Sequence, residues 1–163
     1  MVIDVNVAAP AWRQVADLED LAEACARQSL AESGAVLAPE CELSVTFCDD
    51  AAIRKLNADW RDKDQPTNVL SFPTPGPLGG KPLLGDIIVA YETVAREAEE
   101  QAKPLRAHTA HMIAHGFLHL IGYDHETAAE AERMEALERR IATALGLPDP
   151  YAEDADGPAG GAN

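Results

Sequence analysis

The sequence predicts a single α+β domain, a small mixed four-stranded sheet packed against about five helices. Two observations carry that expectation. Short apolar runs of strand character, VIDVNV, ELSVTFC, NVLSF and GDIIVA, are spread through the first 90 residues. Between and after them lie segments whose apolar residues return every three or four positions, the spacing of a helix with one buried face. A length of 163 residues fits one domain, and an apolar fraction of 47% is enough for a core.

The elements follow in order. VIDVNV alternates with period two and reads as the first strand. From Trp12 to Ala31, the spacing of Val15, Leu18, Leu21, Ala22 and Cys25 predicts an amphipathic helix, which Gly34 and Pro39 break. ELSVTFC is the second strand, and Asp49 or Asp50 caps a short helix carrying Ile53, Leu56 and Trp60. NVLSF is a short strand closed by Pro73, and PTPGPLGGKP holds too many Pro and Gly residues for regular structure. GDIIVA reads as a strand buried on both faces. Three helices follow, Glu92–Gln101, Pro104–Ile121 and Thr127–Leu145. The domain is expected to span residues 1–148. The remainder, 149–163, is acidic and rich in Gly and Ala, and reads as a disordered tail.

Composition narrows the functional classes. The first residues lack the basic and apolar regions of a secretory leader, and no apolar run approaches the ~20 residues of a membrane span. Cys25, Cys41 and Cys48 are odd in number and show no C-x-x-C spacing, so a reducing cytoplasm and small core side chains are expected rather than a disulfide framework. A net charge of −15 repels phosphates and anionic lipids, which argues against a general nucleic-acid binder and leaves DNA and membranes out of the expected partners. One patch departs from that charge: Arg54, Lys55, Arg61 and Lys63 lie close together, interrupted by Asp59 and Asp62.

The chemistry concentrates in Pro104–Ile121. The chain has five histidines, His108, His111, His115, His119 and His125, and the first four share one stripe of this helix. Met112, Ile113, Phe117, Leu118, Leu120 and Ile121 surround that stripe, so several imidazoles are carried into the interior. A lone buried histidine is usually a hydrogen-bonded core residue. Several on one buried stripe cannot all be charged cheaply, and a metal ion resolves this by taking neutral imidazole nitrogens as ligands. After His119, Gly122 can take the left-handed backbone that ends a helix and turn the chain back toward His125.

The resulting H-G-F-L-H-L-I-G-Y-D-H has the ligand spacing of the metzincin proteases, in which three imidazoles hold zinc and leave a fourth position open. His115, His119 and His125 are therefore the candidate metal ligands, for one Zn²⁺ per chain; another divalent transition metal would also suit these donors. His108 and His111 read either as residues facing the site or substrate, or as core packing. A zinc protease carries a Glu general base directly after the first histidine, and here that position is Gly116, so peptide hydrolysis by that route is not expected. A bound metal could still act as a Lewis acid on another substrate.

The same motif resembles the YbeY-type endoribonucleases, bacterial rRNA maturation factors with a three-histidine metal site. LNADWRDKDQPTNVLSFP is similar to that family's N-x-x-x-R…P-T-D-V-L-S-F-P stretch, and LLGDIIVA to its L-G-D-I strand. Together the motifs run in order from Leu56 to His125. The resemblance implies metal-dependent hydrolysis of single-stranded RNA in the maturation and quality control of small-subunit rRNA, with the small ribosomal subunit and its proteins as partners. It places the metal on His115, His119 and His125 and a functional arginine at Arg61. A guanidinium suits a phosphate, forking two hydrogen bonds onto it, and the plainer reading is a surface ion pair with Asp62 or Asp64. The chain departs from the family pattern at Asn68, where an aspartate is usual; an amide cannot serve as a general base. Asp86, Asp124 and Glu126 remain as structural acids or as bases near the metal. The second class of function is a ribosome-assembly factor whose metal is structural and whose partners are proteins, a reading the acidic charge favours.

Overall fold

The computed structural model describes residues 1–152. In chain order the strands are β1 (Val2–Val7), β2 (Glu42–Cys48), β3 (Val69–Pro73) and β4 (Leu83–Ala90). The helices are α1 (Leu18–Ser33), α2 (Asp50–Arg61), α3 (Tyr91–Glu100), α4 (Leu105–Leu120) and α5 (Ala128–Ala144). The sheet order is β1-β2-β4-β3. β2 pairs in parallel with β1 and β4, and β3 runs antiparallel along β4, so the sheet is mixed and four-stranded as its patterning predicts.

Alternation along β2 divides the two faces. Leu43, Val45 and Phe47 are wholly buried, and join Ile87 and Val89 of β4 under α1, α4 and α5. The opposite face is covered only in part, by α2: Ile53 packs there with Cys48, Leu70 and Ala90, and Leu56, Phe72 and Ile88 lie half-buried around them. β4 is thus not buried on both faces, because Asp86, of the same parity as Ile88, is exposed. Its run of apolar residues overstates its burial because Ile88 needs only the partial cover of α2.

The expected helix Trp12–Ala31 is divided. Pro10 opens a 3₁₀ turn, Pro10–Gln14, that turns Trp12 inward, where its indole donates to the Cys48 carbonyl at 2.8 Å. The ring meets Phe47 and Tyr91 edge-on, with centroids 5.0 and 5.3 Å away. Asp17 then takes φ 52, which no continuous helix allows, and α1 starts at Leu18. Asp49 caps α2 by accepting from the Ala52 amide at 2.9 Å. All three cysteines are buried and free, and burial pushes the Cys25 thiol up to about 12.

The ordered body also continues past the expected boundary at Pro148. Pro150 is buried, its carbonyl accepts from Lys103 Nζ, and the Tyr151 hydroxyl donates to Glu138. One proline and one tyrosine anchor this segment despite its acidic composition. The expected disorder from residue 153 onward falls outside the described residues.

α4 lies across the sheet at very short range. A Cβ at Gly116 would sit 2.9 Å from Ile87 Cγ2 and 3.1 Å from Ser71 Oγ, and Ser71 donates to the Gly116 carbonyl at 3.0 Å. Overpacking of this kind costs about 1–3 kcal/mol, against ~1 kcal/mol of helix propensity gained on leaving glycine. Gly116→Ala is therefore expected to lower the melting temperature by a few degrees. Gly116→Glu, which writes a peptidase-like H-E-x-x-H into the helix, should unfold the protein or destabilise it much more, and show no peptidase activity; a thermal melt and a casein assay on both variants check this.

Candidate metal centre

The histidine spacing produces one continuous line of imidazoles on α4. Ring centroids are 6.0 Å apart from His108 to His111, 6.2 Å to His115 and 4.6 Å on to His119. The helix then ends, Gly122 takes φ 105, and the Tyr123 amide donates back to the Leu118 carbonyl at 2.9 Å. This reversal brings the exposed His125 ring to 5.6 Å from His115 and 5.1 Å from His119. One donor atom from each of His115, His119 and His125 lies within 4.8 Å of the others, so this cluster can hold a metal ion.

Hydrogen bonds at the back of the rings decide which nitrogen is free. His119 Nδ1 is 2.9 Å from the Tyr123 carbonyl, which can only accept, so that nitrogen carries the proton. His115 Nδ1 donates to Glu138 Oε2 at 2.7 Å. In the neutral rings both Nε2 atoms therefore present lone pairs, and these face each other at 3.1 Å. Two lone pairs at that range need a cation or a proton between them. Tetrahedral zinc with Zn–N of about 2.0–2.1 Å sets its ligand nitrogens about 3.3 Å apart, close to the spacing present.

Glu138 is the functional residue that sequence reasoning missed. It is 2% exposed, on the face of α5 that buries Met134, Leu137 and Ile141. An acid on an apolar helical stripe was the available signal. Burial pushes its carboxyl up, but hydrogen bonds from His111 and His115 outweigh this and hold it at about 2. Its Oε1 accepts from Tyr151, and its Oε2 lies 3.5 Å from His111 Nε2, which is also 3.2 Å from the Tyr151 hydroxyl. His111, His115 and Glu138 are close enough to form a second donor cluster, but the 2.7 Å contact between His115 and Glu138 is a shared proton, too short to bracket an ion. Such carboxylate–histidine pairs fix ring orientation and raise ligand basicity.

The other candidates fall elsewhere. His108 is buried and bonds Glu97 at 2.9 Å. Asn68 donates to both oxygens of Glu97, at 3.0 and 3.2 Å, and accepts from the Val69 amide at 2.7 Å, so it reaches an imidazole only through Glu97. Asp86 lies on the sheet face away from α4. Asp124 adjoins the cluster and accepts from the His125 amide at 2.7 Å, a role that shapes the loop, and Glu126 is exposed. Arg61, the exposed last residue of α2, is across the sheet from α4 and makes no ion pair among the described residues; Asp64 is held instead by Arg54 at 2.8 Å.

These contacts set expectations for binding and for pH. The purified protein should carry about one metal per chain, and His115→Ala, His119→Ala or His125→Ala should each lower occupancy sharply. Glu138→Gln should weaken metal affinity roughly 10- to 100-fold, the usual scale for such a partner. Full occupancy in all three histidine variants by metal analysis would remove the assignment, and the Glu138→Gln affinity is read by chelator competition. Burial lowers the pKa of His111, and burial followed by the charge of His115 lowers that of His119, both from 6.5, while Glu138 sits below its ordinary 4.5. Depressed pKa values mean that the unfolded chain binds more protons as pH falls. The metal-free fold should therefore lose stability on acidification below about 6.5, and again from about 4.5 toward 2 as Glu138 protonates; melting temperatures across pH read this out.

Known proteins share this chain's sequence and fold. The family model described as Endoribonuclease YbeY matches residues 8–146. Endoribonuclease YbeY of Methylocella silvestris is 59% identical over 152 residues, covering 93% of this chain and 86% of that protein. Endoribonuclease YbeY of a Bradyrhizobium species is 49% identical over 160 residues, covering 92% of each. The solution structure of a Thermotoga maritima protein shares the fold, with a TM-score of 0.56 at 24% identity, covering 93% of this chain and all of that one. The chain belongs to the YbeY endoribonuclease family.

Proposed function

We propose that this protein is a metal-dependent endoribonuclease that cuts single-stranded RNA in the maturation and quality control of small-subunit ribosomal RNA in the cytoplasm, with one Zn²⁺ per chain. The observation that carries this reading is the pair of Nε2 atoms facing each other at 3.1 Å, with His125 completing a triad. Among the described residues no fourth His, Cys, Asp or Glu joins that triad, which favours an open, catalytic type of site over a closed structural one. The half-exposed His115 and His119 and the exposed His125 leave it accessible to a polymer.

A divalent ion held there supplies Lewis acidity toward a phosphoryl oxygen and acidifies water at neutral pH. The protein's own residues do the rest. Glu138 and the Tyr123 carbonyl hold the His115 and His119 rings in the tautomer that presents Nε2. The backbone at residue 116 fills the place of a peptidase base with sheet contacts, so the site has no side chain there to deprotonate water for amide attack. Arg61, unpaired among the described residues, supplies a fork of N–H donors for a phosphate of the bound strand. The net charge of −15 favours an additional role in contact with basic ribosomal proteins.

Metal-loaded protein should cleave single-stranded RNA, act little on duplex, and leave unfolded protein substrates intact. Arg61→Ala should keep its metal yet bind single-stranded RNA more weakly and cut it more slowly at low RNA concentration, as a lost phosphate contact along the strand requires. Added salt should slow turnover as phosphate contacts are screened. His119→Ala, purified identically to exclude contaminating ribonuclease, is the control; RNA cut at the wild-type rate by that variant would leave assembly through protein contacts as the function.

A further inference from the structure

We infer that Trp60 is a nucleobase-stacking subsite, backed by Phe72 and flanked by Arg61 and Lys63, that holds single-stranded RNA on the sheet face opposite α4. The inference rests on the ribonuclease reading and adds where the strand is gripped.

The two tryptophans differ completely in environment. Trp12 is 0% exposed, whereas Trp60 is 72% exposed near the end of α2. Helical spacing puts Trp60 in line with Ile53 and Leu56, the residues that α2 packs against the sheet, yet its ring overhangs the edge of that small core. It leans edge-on against Phe72, with centroids 6.4 Å apart and ring planes at 61°, and this contact fixes the indole while most of its surface stays open. A rigid, solvated indole is what a base can stack on, and stacking tolerates any sequence because every base has a π face.

Charge identifies the occupant. In a chain of net charge −15 with 13 basic residues, Arg54, Lys55, Arg61 and Lys63 lie within six positions of Trp60 in the sequence. Arg54 is committed to Asp64 at 2.8 Å, whereas Lys55, Arg61 and Lys63 make no ion pair among the described residues. An apolar protein partner would not call for such cations, and a phosphate backbone does. Three acids bear on the platform, Asp86 opposite Phe72 in the sheet and the exposed Asp59 and Asp62 beside Trp60 and Arg61 in the chain, so the phosphate contacts fall to the long side chains of Arg61 and Lys63, which reach past them. The remaining link is β3, an edge strand. Phe72 points to the Trp60 side, and the preceding Ser71 bonds the carbonyl of Gly116, the residue after His115. RNA stacked on Trp60 and passing over the free edge of β3 is thereby directed toward the histidine cluster.

Because Trp12 is sealed, the solvent-exposed part of the tryptophan emission reports on Trp60 alone. Titrating the metal-loaded full chain with a short 2′-O-methyl oligoadenylate should quench that emission. Trp60→Ala should bind the oligomer roughly tenfold or more weakly, the scale of one lost base stack. Its loss in RNA cleavage should fall on KM more than on kcat, and Trp60→Phe should recover most of the affinity. Unquenched wild-type emission, or Trp60→Ala binding as tightly as wild type, overturns the subsite while a wild type that still cuts RNA keeps the ribonuclease reading intact. Metal-loaded wild type that neither binds nor cuts RNA overturns both.

Discussion

The buried carboxylate of Glu138 is the interaction on which the candidate metal centre depends. An ionised acid in an apolar interface is costly unless every oxygen is occupied, and here one oxygen accepts a hydrogen bond from His115 and the other accepts one from Tyr151. Three separate pieces of chain, α4, α5 and the segment after Pro148, therefore converge on a single side chain. Their convergence has a chemical consequence. With Nδ1 of His115 committed to Glu138, its Nε2 can only be a lone pair pointed at His119, so packing and ligand tautomer are set by the same contact.

The second constraint is the short distance between α4 and the sheet. A Cβ at residue 116 would crowd Ile87 and force it to shift, and the Ser71 hydroxyl closes the gap by bonding the helix backbone. That approach fixes the height of His115 and His119 above the sheet. It also explains the chemistry the site lacks. The position at which a related ligand spacing carries a catalytic glutamate is here turned into the sheet, so the three imidazoles and the missing base are two results of one packing arrangement.

The three imidazoles were legible in the sequence because their geometry is local. Spacings of four along a helix and a glycine reversal after it determine their convergence with little help from the rest of the chain. The strands were legible for the same reason, each being a short local apolar run bounded by turn or helix signals. What the sequence concealed was long-range. Glu138 lies 23 positions from His115, and Tyr151 a further 13 from Glu138, and neither pairing follows from periodicity. Trp12 sat inside a convincing helical pattern, yet its buried hydrogen bond to Cys48 and the left-handed Asp17 divide that helix. The segment 149–152 has the composition of a tail, yet its buried Pro150 and the hydrogen bond from the half-buried Tyr151 to Glu138 outweigh its single exposed acid, Asp149.

Asn68 shows how a departure from a family's pattern can be structural. Its amide faces the Glu97 carboxylate, donating to both oxygens, while Glu97 also accepts from the buried His108. Hydrogen bonds to His108 and Asn68 overcome the cost of burial and keep Glu97 ionised below its ordinary range. An aspartate at position 68 would set a second carboxylate about as close as the amide now is, and two such groups cannot both ionise cheaply. The cluster would then have to take up a proton or let β3 move. β3 carries Ser71 against α4 and Phe72 beneath Trp60, so the amide holds in place a strand that both the metal centre and the proposed RNA platform lean on.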